Sequence, residues 1–197
     1  MPITINGSGT VTGLSVGGLP DGTVDTDTLA NSAVTSAKSS GLGGLTEYDT
    51  WRLTSDTVNA LNPLVNWART TSNGFAKIGT GMSHSGGTFT FPSTGIWEVT
   101  ARPHFKQTNG GDSDHMYMDT DYTTDNGSNW TATTYAIGSN IDNNGQCTAI
   151  SIFTTDITDT SNQKVRFSFD PDNSNGQIQG NTSILETNLT FKKLAET

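Results

Sequence analysis

The feature that most constrains the fold is the close spacing of turn sequences after Tyr48. Clusters of Asn, Asp, Gly and Pro recur there, as in SGG at 85–87, PSTG at 92–95 and NNG at 143–145. These residue types adopt the backbone conformations that tight turns require. Strand-length segments lie between the turns, and none of them has the apolar period of a helix. The pattern predicts an all-β sandwich or barrel and argues against βαβ units.

Nine segments between these turns are predicted strands. They comprise residues 50–53, 75–78, 88–91, 96–105, 115–122, 130–137, 147–154, 164–169 and 184–193. Pro103, inside the fourth segment, predicts a sheet edge or the end of a strand, because proline cannot donate to the ladder. The last two segments alternate regularly, which predicts one buried and one solvated face. We expect the core-facing side to carry Val165, Phe167, Phe169, Leu185, Leu189 and Phe191.

The large aromatic residues divide the chain into regions. All four tryptophans and all eight phenylalanines follow the Gly-rich sequence SSGLGG at 39–44. Aromatic side chains supply much of the apolar area that a core buries. A chain of 197 residues can form one domain with an extension but is short for two cores. We therefore predict an attachment segment at 1–38, a linker at 39–47 and one folded domain at 48–197.

The segment before the linker carries few residues that could be buried. The acidic sequence at 25–27 resembles a helix N-cap and predicts a short helix from about residue 28 to Lys38. Such a short helix is marginal by itself. We therefore expect this segment to be ordered by sister chains or by another protein. The candidate contact residues are its small apolar side chains, Val24, Leu29, Ala33, Val34 and Ala37.

The charge of the chain excludes two classes of partner. The net charge is −9, and the ten basic residues are scattered, with Lys192 and Lys193 the only adjacent pair. Binding to nucleic acid or to an anionic membrane needs clustered basic residues. The sequence also has no long apolar run and no basic-then-apolar N-terminal signal. We expect no nucleic-acid partner, no membrane insertion and synthesis in a cytoplasm without a secretory signal.

The sequence carries no recognisable catalytic pattern. The single cysteine, Cys147, has no neighbouring His and amide to activate it, so we interpret it as a buried apolar residue. His84, His104 and His115 lie in separate segments without carboxylates at zinc-ligand spacing. The sequence has no nucleophile elbow, which a Ser-His-Asp hydrolase would need. It also has no pair of carboxylates framed by an aromatic platform, which glycoside hydrolysis would need. We expect no enzyme activity and no cofactor.

One acidic cluster could bind a hard cation such as Ca²⁺. Its members are Asp112, Asp114, Asp119, Asp121 and Asp125. The spacing is not that of a calcium loop. A solvated acidic rim is therefore the favoured interpretation. The candidate ligands, if a cation binds, are Asp119, Asp121 and Asp125.

The N-terminal sequence resembles one family of proteins. Residues 29–38 follow the phrase Leu-Ala-x-x-Ala-Val-Thr-x-x-Lys, behind the start MPITINGSGTVTG. The sequence of residues 3–38 resembles the amino-terminal segments of bacteriophage tail-fibre and related virion appendage proteins. The resemblance implies a virion protein that contacts other virion proteins through its N-terminus.

Residues 75–194 resemble the C1q/TNF-like jelly roll. The last strand lacks the Phe-x-Gly phrase usual in that family, and residues 109–146 match only in polarity. The resemblance implies a compact homotrimer with both termini at one end and variable loops at the other. The positions that carry it are Phe75, Gly87, Phe89, Phe91, Pro92, Gly95, Trp97 and Val99.

Together these features predict a C1q/TNF-like jelly-roll sandwich preceded by an extended attachment segment with a short helix. The expected function is that of a homotrimeric phage fibre or appendage. A capsid decoration or head-fibre protein and a free carbohydrate-binding module remain alternatives. We expect the distal loops to touch the host surface, where a host glycan would be a further partner. Their candidate residues are Asn109, Asp112, Asp125, Asn126 and Asn129.

Overall fold

The computed structural model describes residues 44–71, 75–108 and 111–197. The residues from Gly44 onward form one unit. The predicted short helix and the five apolar residues of the attachment segment lie outside the described residues, and so does Asn109.

The described residues form fourteen strands, and no helix among them has the length and hydropathy of a membrane span. The strands are β1 (Tyr48–Leu53), β2 (Thr57–Val58), β3 (Trp67–Arg69), β4 (Ser83–Ser85), β5 (Thr88–Thr90), β6 (Gly95–Arg102), β7 (His104–Gln107), β8 (Ser113–Thr123), β9 (Thr131–Ile141), β10 (Gln146–Thr148), β11 (Ser151–Ile157), β12 (Lys164–Pro171), β13 (Gly176–Ile178) and β14 (Asn188–Ala195).

Two sheets placed end to end form the front layer of a sandwich. One has the strand order β11-β6-β14-β1-β3 and the other β10-β7-β13-β2. Pro103 separates β6 from β7, so the chain leaves one sheet and enters the other at that residue. This confirms the prediction that Pro103 ends a strand, and the physical reason is its missing N–H donor.

The back layer is a single antiparallel sheet with the order β4-β5-β12-β8-β9. Met116 and Met118 of β8 point into the sandwich, and Tyr117 between them points out. Val165, Phe167 and Phe169 of β12 are buried as predicted. This period-two alternation gives the back layer one apolar face and one polar face.

An aromatic cluster between the layers forms the centre of the core. Phe89 of β5 lies edge-on to Trp51 and Trp67, with ring centroids 5.2 and 6.0 Å away. It also lies 5.8 Å from Phe167 and 5.2 Å from Phe191. Edge-to-face and tilted pairs at these separations add to the stabilisation from burial alone. Phe89 of β5 therefore contacts aromatic rings of both layers, which Phe167 also joins through Trp67 and Phe191.

Three of the predicted strands differ from the structure. Residues 147–154, predicted as one strand, are divided at Ala149 and Ile150 into β10 and β11, which belong to different sheets. Residues 75–78 form no strand, and only Ile78 makes an isolated bridge to Tyr48. The last strand begins at Asn188, so Leu185 lies in the preceding loop and is half-buried, while Leu189 and Phe191 are buried as predicted. The backbone of residues 75–78 and of the segment before Asn188 makes isolated contacts instead of a ladder. The N–H of Leu53, for example, donates to the carbonyl of Thr187 at 3.0 Å.

The segment after Ile78 wraps around two buried carboxylates. The N–H groups of Thr80 and Gly81 donate to Glu47 at 3.0 and 2.8 Å, and that of Met82 donates to Asp49 at 2.8 Å. Gly81 has φ +74, a conformation that L side chains rarely adopt. Turning three successive N–H groups onto carboxylates prevents this segment from joining a sheet.

The first and last strands are neighbours. β1 and β14 are antiparallel, with Tyr48 opposite Lys192. The start of the domain therefore lies beside the end of the last strand, as the C1q/TNF resemblance implies.

Candidate functional site

The outer face of the back layer holds a groove of about 380 Å³. One wall is formed by β5 and the turn before it, the floor by β12, and the other wall by the loop between β8 and β9. The lining residues are Pro63, Ser85, Gly86, Thr88, Thr90, Asn126, Gly127, Trp130, Lys164 and Arg166.

The loop between β8 and β9 is fixed by Asp125. Its Oδ1 accepts from the Thr123 hydroxyl at 2.7 Å and from the Asn129 N–H at 2.9 Å. Its Oδ2 accepts from the Asn129 side chain at 2.6 Å. The N–H of Asn126 also donates to the Asn162 carbonyl at 3.0 Å, which ties the loop to the β11–β12 connection. This hydrogen bonding places Asn126 and Trp130 on the rim of the groove.

The same bonds lower the pKa of Asp125 from 3.8 to about 2, with the N–H of Asn129 as the main cause, followed by the Asn129 and Thr123 side chains. A lowered folded-state pKa stabilises the folded loop above pH 3.8, and this contribution disappears as the pH falls through 2. We expect the Asp125 carboxyl carbon to titrate with a midpoint near 2 by NMR. Asn129→Ala should move the midpoint upward. A wild-type midpoint near 3.8 would contradict the fixed loop.

Trp130 is held against β12 by a cation. The Arg166 guanidinium lies 4.4 Å from the centroid of the indole ring. Arg166 Nε also donates to Asp121 Oδ2 at 3.0 Å, and both side chains are largely buried. A guanidinium that is paired and stacked in this way has little freedom to move. Arg166 therefore fixes the indole as one wall of the groove.

Several polar groups in the groove have no hydrogen-bond partner among the described residues. Among the described residues, no hydrogen bond involves the hydroxyls of Ser85, Thr88 or Thr90, or the indole N–H of Trp130. Lys164 donates to Asn126 Oδ1 and makes no ion pair within the described part of the chain. The groove thus presents three hydroxyls, one N–H and one ammonium group to solvent.

The proposed calcium ligands make other contacts. Asp121 pairs with Arg166, and Asp125 is bound within its own loop. Burial is the main cause that raises the pKa of Asp119, with the charges of Asp121 and Asp170 acting in the same direction. The described residues contain no group of three or more His, Cys, Asp or Glu side chains placed to hold a metal ion.

The two predicted contact loops lie at opposite ends of β8. Asp112 precedes this strand, and its Oδ1 accepts from the Asn143 N–H at 3.0 Å. Asp125, Asn126 and Asn129 follow the strand. Eleven residues of β8 separate the loops by roughly 33 Å. They therefore cannot form one binding surface within a single chain.

Sequence reasoning selected Asn126 but missed the other polar residues of the groove. Lys164, Thr88 and Thr90 come from β12 and β5, which pair directly, with Lys164 opposite Thr90. The sequence does indicate that Lys164 faces outward, because it precedes the buried Val165 in an alternating strand. The pairing partner of β12 was not available from the sequence.

His84 and Cys147 pack against the core, and His104 contacts polar side chains of its neighbours. His84 packs against Trp51 and Phe89, and burial lowers its pKa. His104 contacts the side chains of Thr148 and Gln146. Cys147 is half-buried against the core, where burial raises the pKa of its thiol. It is therefore less buried than the sequence predicted.

The outer face of the front layer is apolar at one edge. Ile150 and Ile152 at β11 are 61% and 56% exposed. Ile152 lies opposite Thr100 of β6, which lies opposite Thr190 of β14. This row of uncharged side chains belongs to a surface on which Ile150 and Ile152 are open in the single chain.

No protein-family model matches the sequence, and no curated protein matches it either. Solved structures do. The crystal structure of murine APRIL at pH 5.0 has a TM-score of 0.55 and 13% identity, covering 75% of this chain and 98% of that one. The structure of Eiger TNF from S. frugiperda has a TM-score of 0.58 and 10% identity, covering 78% and 96%. At these identities the likeness concerns the fold alone, and it confirms the C1q/TNF-like jelly-roll sandwich predicted from the sequence.

Proposed function

We propose that this protein is a homotrimeric, non-catalytic binding module of a bacteriophage particle. Residues 1–38 attach it to other virion proteins, and the jelly roll is displayed toward the host surface. The observation that carries self-association is the open face at β11, β6 and β14, which exposes Ile150 and Ile152. The virion location rests on the resemblance of residues 3–38 to phage appendage proteins.

The front face has the chemistry of a surface that a second copy covers. Its central row, Ile152, Thr100 and Thr190, has no charge, and interface centres are depleted of charged residues. Arg52 and Arg102 flank this row and make no ion pair among the described residues. In a chain of net charge −9, acidic groups of a neighbouring copy are available to pair with them. Three copies are the number that the C1q/TNF resemblance implies.

Light scattering on the full chain tests self-association. We expect a mass of about 62 kDa, three times the 20.8 kDa of one chain. Ile152→Asp should shift the mass toward the monomer, because it places a charge in the covered centre of the face. Ile137→Asp is the matched control, since Ile137 is 41% exposed on the back layer, and it should remain trimeric. A monomeric wild-type chain would overturn the proposal.

An electron-microscopy map of the intact particle tests the location. Density for the jelly roll on the tail supports the fibre, and density on capsomers supports the alternative decoration protein. A particle without this protein would refute the virion assignment. Deletion of residues 1–38 should remove the jelly roll from the particle without unfolding it, because the aromatic core lies after Gly44.

A further inference from the structure

We propose that the groove between β5, β12 and the β8–β9 loop binds an acidic saccharide, with the ligand carboxylate at Lys164. This inference deepens the proposed host-surface contact, because it names the ligand class and moves the site from the loop tips to the outer sheet face.

The groove has the opposite charge to the chain that contains it. The net charge is −9, yet the charged side chains that line the groove are Lys164 and Arg166. Asp121 pairs with Arg166 at 3.0 Å, and the carboxylate of Asp125 is bound within its own loop. Lys164 therefore leaves one uncompensated positive charge among the described groove residues. A carboxylate is the ligand group that complements it.

The remaining polar groups match sugar hydroxyls. Ser85, Thr88 and Thr90 can each donate and accept, and the Trp130 N–H can donate. None of these groups is bonded to another described residue. Small-molecule sites have volumes of about 300–1,000 Å³, and the 380 Å³ groove lies at the small end of this range. A short saccharide fits both the volume and the number of free hydrogen-bonding groups.

The walls of the groove are already in place before a ligand binds. Arg166 holds the Trp130 ring, and the hydrogen bonds of Asp125 hold the loop that carries it. Preorganised walls reduce the entropy that binding must overcome. The indole adds an apolar wall against which the C–H groups of a sugar can pack. A bare phosphate would make no use of this apolar wall, which is why we favour a saccharide.

The test follows the indole N–H signal of Trp130 in the NMR spectrum of the full ¹⁵N-labelled chain, assigned with W130F. Three probes are titrated separately: digalacturonic acid, neutral galactobiose and inorganic phosphate. We expect digalacturonic acid to shift this signal to saturation at concentrations where the other two do not. K164Q should weaken its binding about tenfold, because the hydrogen bond to the ligand carboxylate loses its charged donor. Tyr135→Phe, on the same outer face but outside the groove, should leave the affinity unchanged.

Each alternative result would overturn the inference. Equal binding of galactobiose would refute an acidic ligand, and equal binding of phosphate would indicate a general anion site. No shift with any probe, or full affinity in K164Q, would refute the groove as the site. The wild-type titration decides the matter even where a variant fails to fold. The titration needs neither the particle nor the trimer, because it is measured on the isolated chain and can be repeated in Ile152→Asp. Failure of the proposed function and failure of this inference are therefore distinguishable.

Discussion

Replacing Phe89 with alanine should lower the free energy of unfolding by about 3–5 kcal/mol. Phe89 is 0% exposed, and its ring contacts Trp51 and Trp67 of the front layer as well as Phe167 of the back layer. Removing the ring leaves a cavity that joins both sheets. The surrounding rings are large and rigid, so they can fill this cavity only in part.

Urea unfolding at one fixed chain concentration measures this effect, because self-association also contributes to stability. Phe75→Ala is the matched control, since Phe75 is 40% exposed and its truncation should change the unfolding free energy by less than about 0.5 kcal/mol. Phe89→Leu should fall between the two. A Phe89→Ala loss as small as that of the control would show that this cluster is not the centre of the core.

Replacing Asp49 with asparagine should cost about 3–5 kcal/mol, the range for breaking one partner of a buried ion pair. The Asp49 side chain is 1% exposed, and its carboxylate accepts from Arg69 at 2.9 Å. It also accepts from the Trp51 indole N–H and the Met82 N–H, both at 2.8 Å. The amide nitrogen of asparagine cannot accept, so at least one of these donors would lose its partner and Arg69 would lose its counter-charge.

The Asp49→Asn prediction has a control of the same chemistry. Asp142 is exposed, and its side chain makes no hydrogen bond to another described residue. Asp142→Asn should therefore leave the urea midpoint nearly unchanged. Because Asp49 accepts from the N–H of Met82, protease cleavage near that residue should also accelerate in Asp49→Asn. Equal stability of the two variants would refute the anchoring role of this carboxylate.

The strands that could be predicted from the sequence are those in which apolar and polar side chains alternate, because this alternation sets which side chains are buried. Residues 164–169 alternate between apolar and polar side chains, and the structure buries Val165, Phe167 and Phe169 as this pattern requires. Residues 75–78 also have strand composition, but the N–H groups that follow them donate to Glu47 and Asp49. Carboxylates about 30 residues away in the chain changed that segment, and no local pattern reports such a contact.

The candidate groove could be predicted only in part. The Asp-Asn-Gly turn at 125–127 indicates an ordered loop, and it placed Asn126 among the candidates. Lys164 and Thr90 belong to the same site only because β12 pairs with β5. The sequence also grouped Asp112 with Asp125, which β8 places at its two ends.

The amino-acid sequence by itself determined the all-β class, the position of the aromatic core after the Gly-rich linker, and the end of a strand at Pro103. These features follow from turn chemistry, side-chain period and the missing N–H of proline, which act within a few residues. The tertiary structure decided which strands are neighbours, and with them the groove beside Trp130 and the exposed face at Ile152. Both surfaces combine residues from strands far apart in the chain, and hydrogen-bonded pairing between those strands is the physical event that creates them.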